Sequence, residues 1–228
     1  MLGLGRVGRP EAVAFDIIGT VFPLDPLRPT IQELGLPAAG LEGWFAAALR
    51  DAFALSASGD FHPFTEVLSA ALDEVLSEQG LSPPPETKAL LLERMKTLPA
   101  RPDAREAFGT LARAGMRILA VSNGAAASTR GLLEGAGLAD LVEHVVSVEE
   151  VKVFKPRREV YARAAERAGL DPARIALVAV HPWDIQGAKA AGLTGAYVSA
   201  ERPFPPSMRA PDLSAGTLSE AARALVAL

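Results

Sequence analysis

Short apolar runs rich in β-branched residues recur along this chain, and amphipathic patterns of helical length separate the later runs. The runs occupy residues 12–18, 117–122, 144–148, 175–180 and 194–198. The helical patterns occupy residues 102–114, 124–136, 157–168 and 184–191. Strands that alternate with helices of this length are typical of a right-handed α/β fold. The sequence therefore predicts an α/β core built on one parallel sheet.

The stretch from residue 24 to residue 98 interrupts this alternation, because its patterns are helical only. Helices are expected around residues 27–34, 40–56, 63–79 and 86–97. An all-helical block directly after the first strand is best explained as an inserted subdomain. We therefore expect a core of residues 1–23 and 99–228, with a helical cap of residues 24–98. The cap would lie over the carboxyl end of the first strand, where ligands bind in open α/β sheets.

Composition narrows the class of protein. The chain has 228 residues, of which 49% are hydrophobic and 22% charged, as in ordinary globular proteins. A net charge of −4 offers no basic surface for nucleic acid or anionic lipid. No apolar stretch reaches the roughly 18 residues that a membrane span needs, and no apolar core follows Arg6 and Arg9 as in a signal peptide. Because cysteine is absent, the expected compartment is the cytoplasm.

Four segments place a polar residue at or just after the end of an apolar run. They read VAFDIIGT (13–20), ILAVSNG (118–124), VFKP (153–156) and ALVAVHPWD (176–184). Their polar residues are Asp16, Ser122, Lys155 and Asp184. Carboxyl ends of parallel strands meet at one edge of a sheet, so these side chains are expected to converge there. Two acids, a hydroxyl and a lysine at one edge indicate a hydrolytic site.

Asp16 and Ser122 each have a structural explanation beside a functional one. Asp16 can cap the turn after its strand, or serve as a nucleophile that is already ionised, since an ordinary aspartate pKa is about 3.9. Gly19 and Thr20 suit a tight loop that lets a substrate approach. Ser122 can simply begin the next helix, or bind a substrate anion at that helix N-terminus together with Asn123.

Lys155 and Asp184 also have two explanations each. A lysine at a helix start is disfavoured by the helix dipole, which favours a role in holding a carboxylate nucleophile and its substrate. An aspartate in the first helical turn is common, so Asp184 alone indicates little. A purely structural explanation is plausible for each residue alone. It is much less plausible for all four residues in this order at one edge of the sheet.

Two further segments and one absent pattern say less about function. GLGRVG (3–8) matches a dinucleotide-binding pattern but precedes the first strand, so a flexible N-terminal segment is expected. Zinc-ligand spacings are absent, and a zinc site is not expected. Segment 201–211 (ERPFPPSMRAP) is predicted to be an ordered surface loop.

The ordered set of motifs resembles the haloacid dehalogenase superfamily, and within it the L-2-haloacid dehalogenase type. The resemblance covers nearly the whole chain, cap included. The first motif of that type, F-D-x-Y-G-T, is matched by residues 15–20 except that Ile18 replaces the tyrosine. The other motifs are matched by Ser122-Asn123-Gly124, by Phe154-Lys155-Pro156 with the following Tyr161, and by Trp183-Asp184.

The resemblance implies a Rossmann-like core with strand order 3-2-1-4-5 and an inserted helical cap. It implies that Asp16 attacks an electrophilic carbon to give an aspartyl ester, which water held near Asp184 and Lys155 then hydrolyses. The substrate would be a small anionic molecule. Residues assigned to substrate binding are Thr20, Ser122, Asn123, Phe45, Phe64, Tyr161, His181 and Trp183, of which Phe45, Phe64 and Trp183 would form an apolar wall.

The chain departs from that type at its substrate clamp. The arginine that contacts substrate and halide in the dehalogenases aligns with Phe45, next to Trp44. The serine and asparagine before the fourth motif are replaced by Ala179 and His181. We therefore expect an altered substrate preference.

Ile18 separates the two main chemistries of the superfamily. Its phosphatases place a second aspartate there to protonate an alkoxide leaving group, whereas a halide leaves unprotonated. Val180 likewise stands where a Mg²⁺-binding acid would be. The residues favour carbon–halogen hydrolysis without a required cofactor. A Mg²⁺-dependent phosphatase, with the metal on Asp16 and Asp184, and a non-catalytic binding protein remain alternatives, and a homodimer is possible.

Overall fold

Six parallel strands form the one sheet of the part of the chain that the structure, a computed structural model, describes, namely residues 8–199 and 202–228. The strands are β1 (Ala12–Asp16), β2 (Arg117–Ser122), β3 (His144–Ser147), β4 (Ile175–Ala179), β5 (Thr194–Val198) and β6 (Leu213–Ala215). Their order is β3-β2-β1-β4-β5-β6. The predicted order 3-2-1-4-5 is confirmed, and β6 adds an edge strand that the sequence did not predict.

The central strand β1 is buried along its whole length, which explains its unbroken apolar run. The ring of Phe15 packs 4.4 Å from that of Phe108, between their centroids. The strand ends at Asp16 and not at residue 18, because the carbonyl of Ile17 accepts hydrogen bonds from the amides of Val21 and Phe22. This tight turn leaves the Asp16 side chain at the carboxyl edge of the sheet.

Four helices separate β1 from the rest of the core, as the sequence predicted. They are α1 (Arg28–Glu33), α2 (Gly40–Ser58), α3 (Phe64–Glu78) and α4 (Pro85–Met95). Trp44 of α2 is fully buried, and its Nε1 donates to the carbonyl of Leu68 at 2.9 Å, which joins α2 to α3. Trp44 thus belongs to the packing between the helices.

The remaining helices flank the sheet. They are α5 (Ala104–Arg113), α6 (Ala126–Gly135), α7 (Arg158–Ala168), α8 (Pro182–Ala191) and α9 (Leu218–Val226). Residues 202–211 form a loop without helix or strand, in agreement with the prediction for that segment. Residues 3–7 of the glycine-rich segment and the first residue of the 201–211 loop lie outside the described residues.

The inserted helices contact the core at the carboxyl edge of the sheet. The hydroxyl of Ser56 in α2 accepts a hydrogen bond of 2.8 Å from the amide of Phe154. The rings of Phe61 and Phe154 stack with centroids 5.1 Å apart, and those of Phe53 and Trp183 meet edge to face at 5.4 Å. The inserted helices therefore cover the segments that carry the motif residues. Among the described helices, none combines the length and apolar character that crossing a bilayer requires.

Candidate active site

The carboxylate of Asp16 lies at the end of β1, where three side chains hold it. Lys155 Nζ lies 2.7 Å from Oδ1, and the hydroxyl of Thr20 donates to Oδ2 at 2.5 Å. Nδ1 of His181 lies 2.8 Å from the same Oδ2. Only 5% of the Asp16 side chain is exposed. The acid is therefore fixed in position and largely removed from water.

Electrostatics keep this buried acid ionised. Burial raises the pKa of Asp16, but the charge of Lys155 and the contact with His181 act in the opposite direction and prevail, so the pKa lies below its ordinary range. An ionised carboxylate only accepts hydrogen bonds, so Nδ1 of His181 carries a proton and donates it. Asp16 thus has the charge of a nucleophile at neutral pH.

Lys155 connects two acids inside the protein. Its side chain is fully buried, and its ammonium group donates to Asp16 at 2.7 Å, to Asp184 Oδ2 at 2.6 Å and to the carbonyl of Val121 at 3.0 Å. Burial lowers the pKa of Lys155, but the two carboxylates outweigh burial and raise it above the ordinary lysine value. The amide of Lys155 also donates to Oδ1 of Asn123 at 3.0 Å, which fixes the loop to the end of β2.

Asp184 lies in the first turn of α8 and is fully buried. Its Oδ1 accepts a 2.5 Å hydrogen bond from the hydroxyl of Tyr161. Burial raises the pKa of Asp184, Lys155 opposes the rise, and the charge of Asp16 adds to it, so the net direction is upward. The pKa of Tyr161 is raised well above its ordinary value by burial and by Asp184, so its hydroxyl keeps its proton.

His181 is held by contacts on several sides. Its ring stacks on Trp183 with centroids 5.0 Å apart and lies 6.2 Å from the ring of Phe45. Gly19 has a φ of 87°, and a Cβ at that position would lie 2.7 Å from Cε1 of His181. The close approach of the imidazole to the loop therefore requires glycine.

Two cavities lie beside this centre. One of about 540 Å³ is lined by Gly19, Phe45 and His181, among others. A smaller one of about 50 Å³ is lined by Ile18, Phe64 and Ser122, among others. The rings of Phe45 in α2 and Phe64 in α3 meet edge to face with centroids 6.3 Å apart, so the inserted helices contribute aromatic rings to both cavities.

The structure brings the residues predicted as catalytic, Asp16, Lys155 and Asp184, into one hydrogen-bonded network. The residues predicted to contact substrate fall into two groups. Thr20 and Tyr161 are fully buried, and their hydroxyls donate to the carboxylates of Asp16 and Asp184.

The second group of predicted substrate-binding residues lies around this network. Ser122 is almost fully buried, and its hydroxyl oxygen accepts from the amide of Gly124 at 3.0 Å, which leaves the hydroxyl proton available. Asn123 uses Oδ1 for Lys155 and keeps its amide nitrogen available. Phe45, Phe64, His181 and Trp183 supply the aromatic rings around the site.

Three supporting contacts were not predicted from the sequence. The hydroxyl oxygen of Ser56 accepts from the amide of Phe154, the residue before Lys155. Arg101 donates to the carbonyls of Thr20 at 2.7 Å and Gly19 at 3.3 Å, and so holds the loop after β1. The Val121 carbonyl receives the third ammonium proton of Lys155. No local pattern in the sequence distinguishes Ser56 or Arg101 from ordinary polar residues at a protein surface.

The donor set around the two acids does not fit a magnesium ion. Every carboxylate oxygen of Asp16 and Asp184 already accepts a hydrogen bond from a protein group, and an ammonium group lies between the acids. Across residues 8–199 and 202–228, no three His, Cys, Asp or Glu side chains gather as a metal site would need. Mg²⁺ requires carboxylate oxygens that face the ion, so no reaction step is assigned to a metal.

Comparison with known proteins gives consistent similarities. Residues 10–192 match the family described as haloacid dehalogenase-like hydrolase. The chain is 30% identical over 184 residues to (S)-2-haloacid dehalogenase 1 of Pseudomonas sp. (strain CBS-3), covering 80% of this chain and 81% of that protein. It is 31% identical over 192 residues to (S)-2-haloacid dehalogenase of Xanthobacter autotrophicus, covering 83% and 75%.

Solved structures are similar as well. The structure of L-2-haloacid dehalogenase from Xanthobacter autotrophicus with chloropropionic acid covalently bound has a TM-score of 0.84 to this structure. The two chains are 27% identical, and the match covers 94% of this chain and 97% of that one. The similarity therefore includes both the strand ends that carry the site and the helices inserted between them.

Proposed function

The chain belongs to the haloacid dehalogenase-like hydrolases, and from that membership we propose that it hydrolyses the carbon–halogen bond of small 2-halocarboxylic acids through an ester on Asp16. The expectation of a hydrolase of the 2-haloacid dehalogenase-like type is confirmed by these similarities. The substrate and the residue roles are our proposal. The observation that supports them most is an ionised, buried Asp16 held by Lys155.

In the first step, the carboxylate of Asp16 attacks the carbon that bears the halogen. A carbon–oxygen bond forms, the carbon–halogen bond breaks, and the halide leaves with the bonding electron pair. No acid is needed because halides are very weak bases, and Ile18 beside the nucleophile supplies none. Burial removes water from the carboxylate, while the fixed charge of Lys155 keeps it ionised.

In the second step, water attacks the acyl carbon of the ester. The bond between that carbon and the alkyl-bearing oxygen breaks, the alkoxide takes one proton from water, and the other proton goes to solvent. The products are a 2-hydroxy acid and Asp16 with one oxygen from water. Because Asp184 is fully buried and bonded to Lys155 and Tyr161, we assign it to holding Lys155 in place.

We place the carboxylate of the substrate near Ser122 and Asn123. These residues lie just before α6, where free backbone amides and the helix dipole favour an anion. The Ser122 hydroxyl and the Asn123 amide nitrogen are available as donors there. Phe45, Phe64 and Trp183 would then enclose the apolar part of the substrate and the departing halide.

The proposed enzyme needs no metal and acts in the cytoplasm. Support for metal independence is the occupied state of the carboxylate oxygens of Asp16 and Asp184. Nothing in the site favours the phosphatase alternative, because Ile18 cannot protonate an alkoxide.

The test is halide release from bromoacetate and 2-chloropropionate, measured for the wild type and for Asp16→Asn. Hydrolysis of a general phosphate ester, with and without Mg²⁺, is measured in parallel. We expect bromide from bromoacetate with the wild type only, and no phosphate release. Phosphate release that requires Mg²⁺, with no halide release from either acid, would overturn the proposal.

A further inference from the structure

The two oxygens of Asp16 differ in how many donors they contact. Oδ2 accepts from both Thr20, at 2.5 Å, and His181, at 2.8 Å, whereas Oδ1 accepts from Lys155 alone. Each oxygen of an ionised carboxylate has about two lone-pair sites. Oδ2 is therefore saturated by protein donors, while Oδ1 keeps one lone pair for a bond to carbon.

From this asymmetry we propose that Oδ1 is the attacking atom, that Oδ2 becomes the carbonyl oxygen of the ester, and that His181 and Thr20 form an oxyanion hole for hydrolysis of that ester. The proposal rests on the proposed function and assigns His181 to its second step. It differs from a substrate-binding role, because the imidazole contacts the reacting acyl group and not the incoming acid.

The bond changes follow from these positions. When water attacks Cγ of Asp16, the π electron pair of the carbonyl moves onto Oδ2, where two donors already point. The carbonyl then re-forms, the Cγ–Oδ1 bond breaks, and Oδ1 leaves as the hydroxyl oxygen of the product. Lys155 Nζ lies next to Oδ1 and stabilises negative charge there during departure. Water supplies the oxygen that replaces Oδ1; one of its protons goes to the departing oxygen and the other is released to solvent.

Both donors are fixed before the reaction, which is the condition for strong oxyanion stabilisation. The imidazole of His181 is stacked on Trp183 and lies against the backbone of Gly19, and His181 directly precedes α8. The Thr20 hydroxyl oxygen accepts a hydrogen bond of 3.1 Å from the amide of Val180, so its proton points to Oδ2. Neither donor needs to reorient as charge develops.

The experiment separates alkylation from ester hydrolysis in His181→Ala, His181→Asn and the wild type. Each protein is mixed with excess bromoacetate, and bromide release is followed from the first turnover by rapid quench. Intact-protein and peptide mass spectrometry detect an ester on Asp16. His62→Ala, at an exposed histidine, is the matched control, and melting temperatures show whether each variant is folded.

With His181→Ala we expect a bromide burst at a rate within several-fold of the wild type, and then steady turnover slower by about 10²–10³-fold, the usual effect of losing one oxyanion donor. The ester should accumulate on Asp16. His181→Asn, whose amide N–H replaces Nδ1–H, should recover much of the steady rate and accumulate less ester. His62→Ala should behave as the wild type.

The other outcomes count against the proposal in separate ways. Unchanged turnover of His181→Ala without ester, or a burst that slows as much as turnover does, means that His181 does not act on the ester. A His181→Asn variant with a normal burst and no recovered turnover assigns the imidazole as a base, which overturns the donor role. A folded wild type that releases no bromide overturns the proposed function itself.

Discussion

Lys155 Nζ lies 2.7 Å from Oδ1 of Asp16, although 139 positions separate the two residues in the chain. Both side chains are almost completely buried, so each charge depends on the other for stabilisation. Removing one member of a buried ion pair typically costs about 3–5 kcal/mol, because the remaining charge has no solvent to compensate it. Because the proposed mechanism uses the same contact, substitutions at Asp16 must be measured for both stability and activity.

Asp16→Asn is expected to abolish hydrolysis and leave the fold intact. The amide has the shape of the carboxylate and can still accept from Lys155, but it is not a nucleophile. Losing a covalent nucleophile should lower kcat by at least about 10⁴-fold. Circular dichroism and melting temperature check the fold. In ¹⁸O water, a single turnover of the wild type should label Asp16, and an unlabelled side chain or a variant retaining a tenth of the activity contradicts the covalent mechanism.

The core of the fold could be predicted because most of its strand residues are buried. The five predicted strands are mainly apolar, and Asp16 and Ser122 end two of them. Parallel topology alone then brings these residues to one edge. The short strand β6 was missed because its residues are half-exposed and form no apolar run. Helix α9 was not predicted, although it packs a buried apolar face against the core.

Contacts within the site were less accessible to sequence reasoning. The pattern places Tyr161 and Thr20 near the acids but does not say that their hydroxyls bind carboxylates. Likewise, His181 alone is an ordinary polar residue at a strand end, and only the three-dimensional arrangement shows its contact with Asp16. The direction in which a side chain points depends on its packing against elements distant in sequence. Local sequence patterns do not encode that packing.

Tyr161→Phe is expected to weaken the support of Lys155 through Asp184. The change removes the donor to Oδ1 of a fully buried carboxylate, and such a loss costs about 1–3 kcal/mol of unfolding free energy. Activity should fall several-fold, since Asp184 becomes a poorer partner for Lys155. Urea unfolding and kcat/KM give the two values. Tyr197→Phe is the control, because its hydroxyl makes only a 3.3 Å contact to a carbonyl; equal effects in both variants contradict the prediction.

Removal of metal ions is expected to leave bromide release unchanged. Lys155 supplies the positive charge beside Asp16 that Mg²⁺ supplies in phosphatases of the superfamily, and every oxygen of the two acids already accepts a hydrogen bond from the protein. The measurement is the bromide release rate after extensive EDTA treatment and after addition of Mg²⁺. A rate that disappears with EDTA and returns with Mg²⁺ contradicts the assignment.

The acid side of the pH profile should not show the titration of an ordinary aspartate. The folded-state pKa of Asp16 lies below its ordinary value of about 3.9, so the acid stays ionised as pH falls from 7 to about 4. Its contribution to stability is present above the ordinary value and is lost only as pH falls through the lowered folded value. The first-turnover bromide rate should therefore be flat over that range.

The pH dependence of the unfolding free energy in Asp16→Asn and His181→Asn tests the lowered pKa of Asp16. The difference in unfolding free energy between the wild type and Asp16→Asn should stay constant from pH 7 to about 4. His181→Asn removes the imidazole that faces Asp16 and isolates the effect of Lys155. An inflection between pH 4 and 6 that persists in His181→Asn and depends on Asp16 contradicts a lowered pKa.

Phe45 is the position where a gain of activity is expected. Its ring lies 6.2 Å from His181 and 6.3 Å from Phe64, and only 9% of the residue is exposed. If Phe45 occupies the place of the dehalogenase arginine, a 2-haloacid finds no guanidinium there, and its halide departs into an aromatic wall. Wild-type turnover of 2-chloropropionate is therefore expected to be low or undetectable.

Phe45→Arg should raise kcat/KM for 2-chloropropionate by about ten- to a hundredfold, because a charge-assisted hydrogen bond contributes roughly 1.5–3 kcal/mol. Glu42, one turn earlier on α2, already binds Arg28, which leaves the new guanidinium free to face the substrate. Burial of that charge without a partner would instead lower the melting temperature. Leu49→Arg, one turn later and lining the same cavity, is the matched control and should bring no gain. A folded Phe45→Arg protein without gain, or a gain shared by Leu49→Arg, shows that position 45 is not the missing clamp.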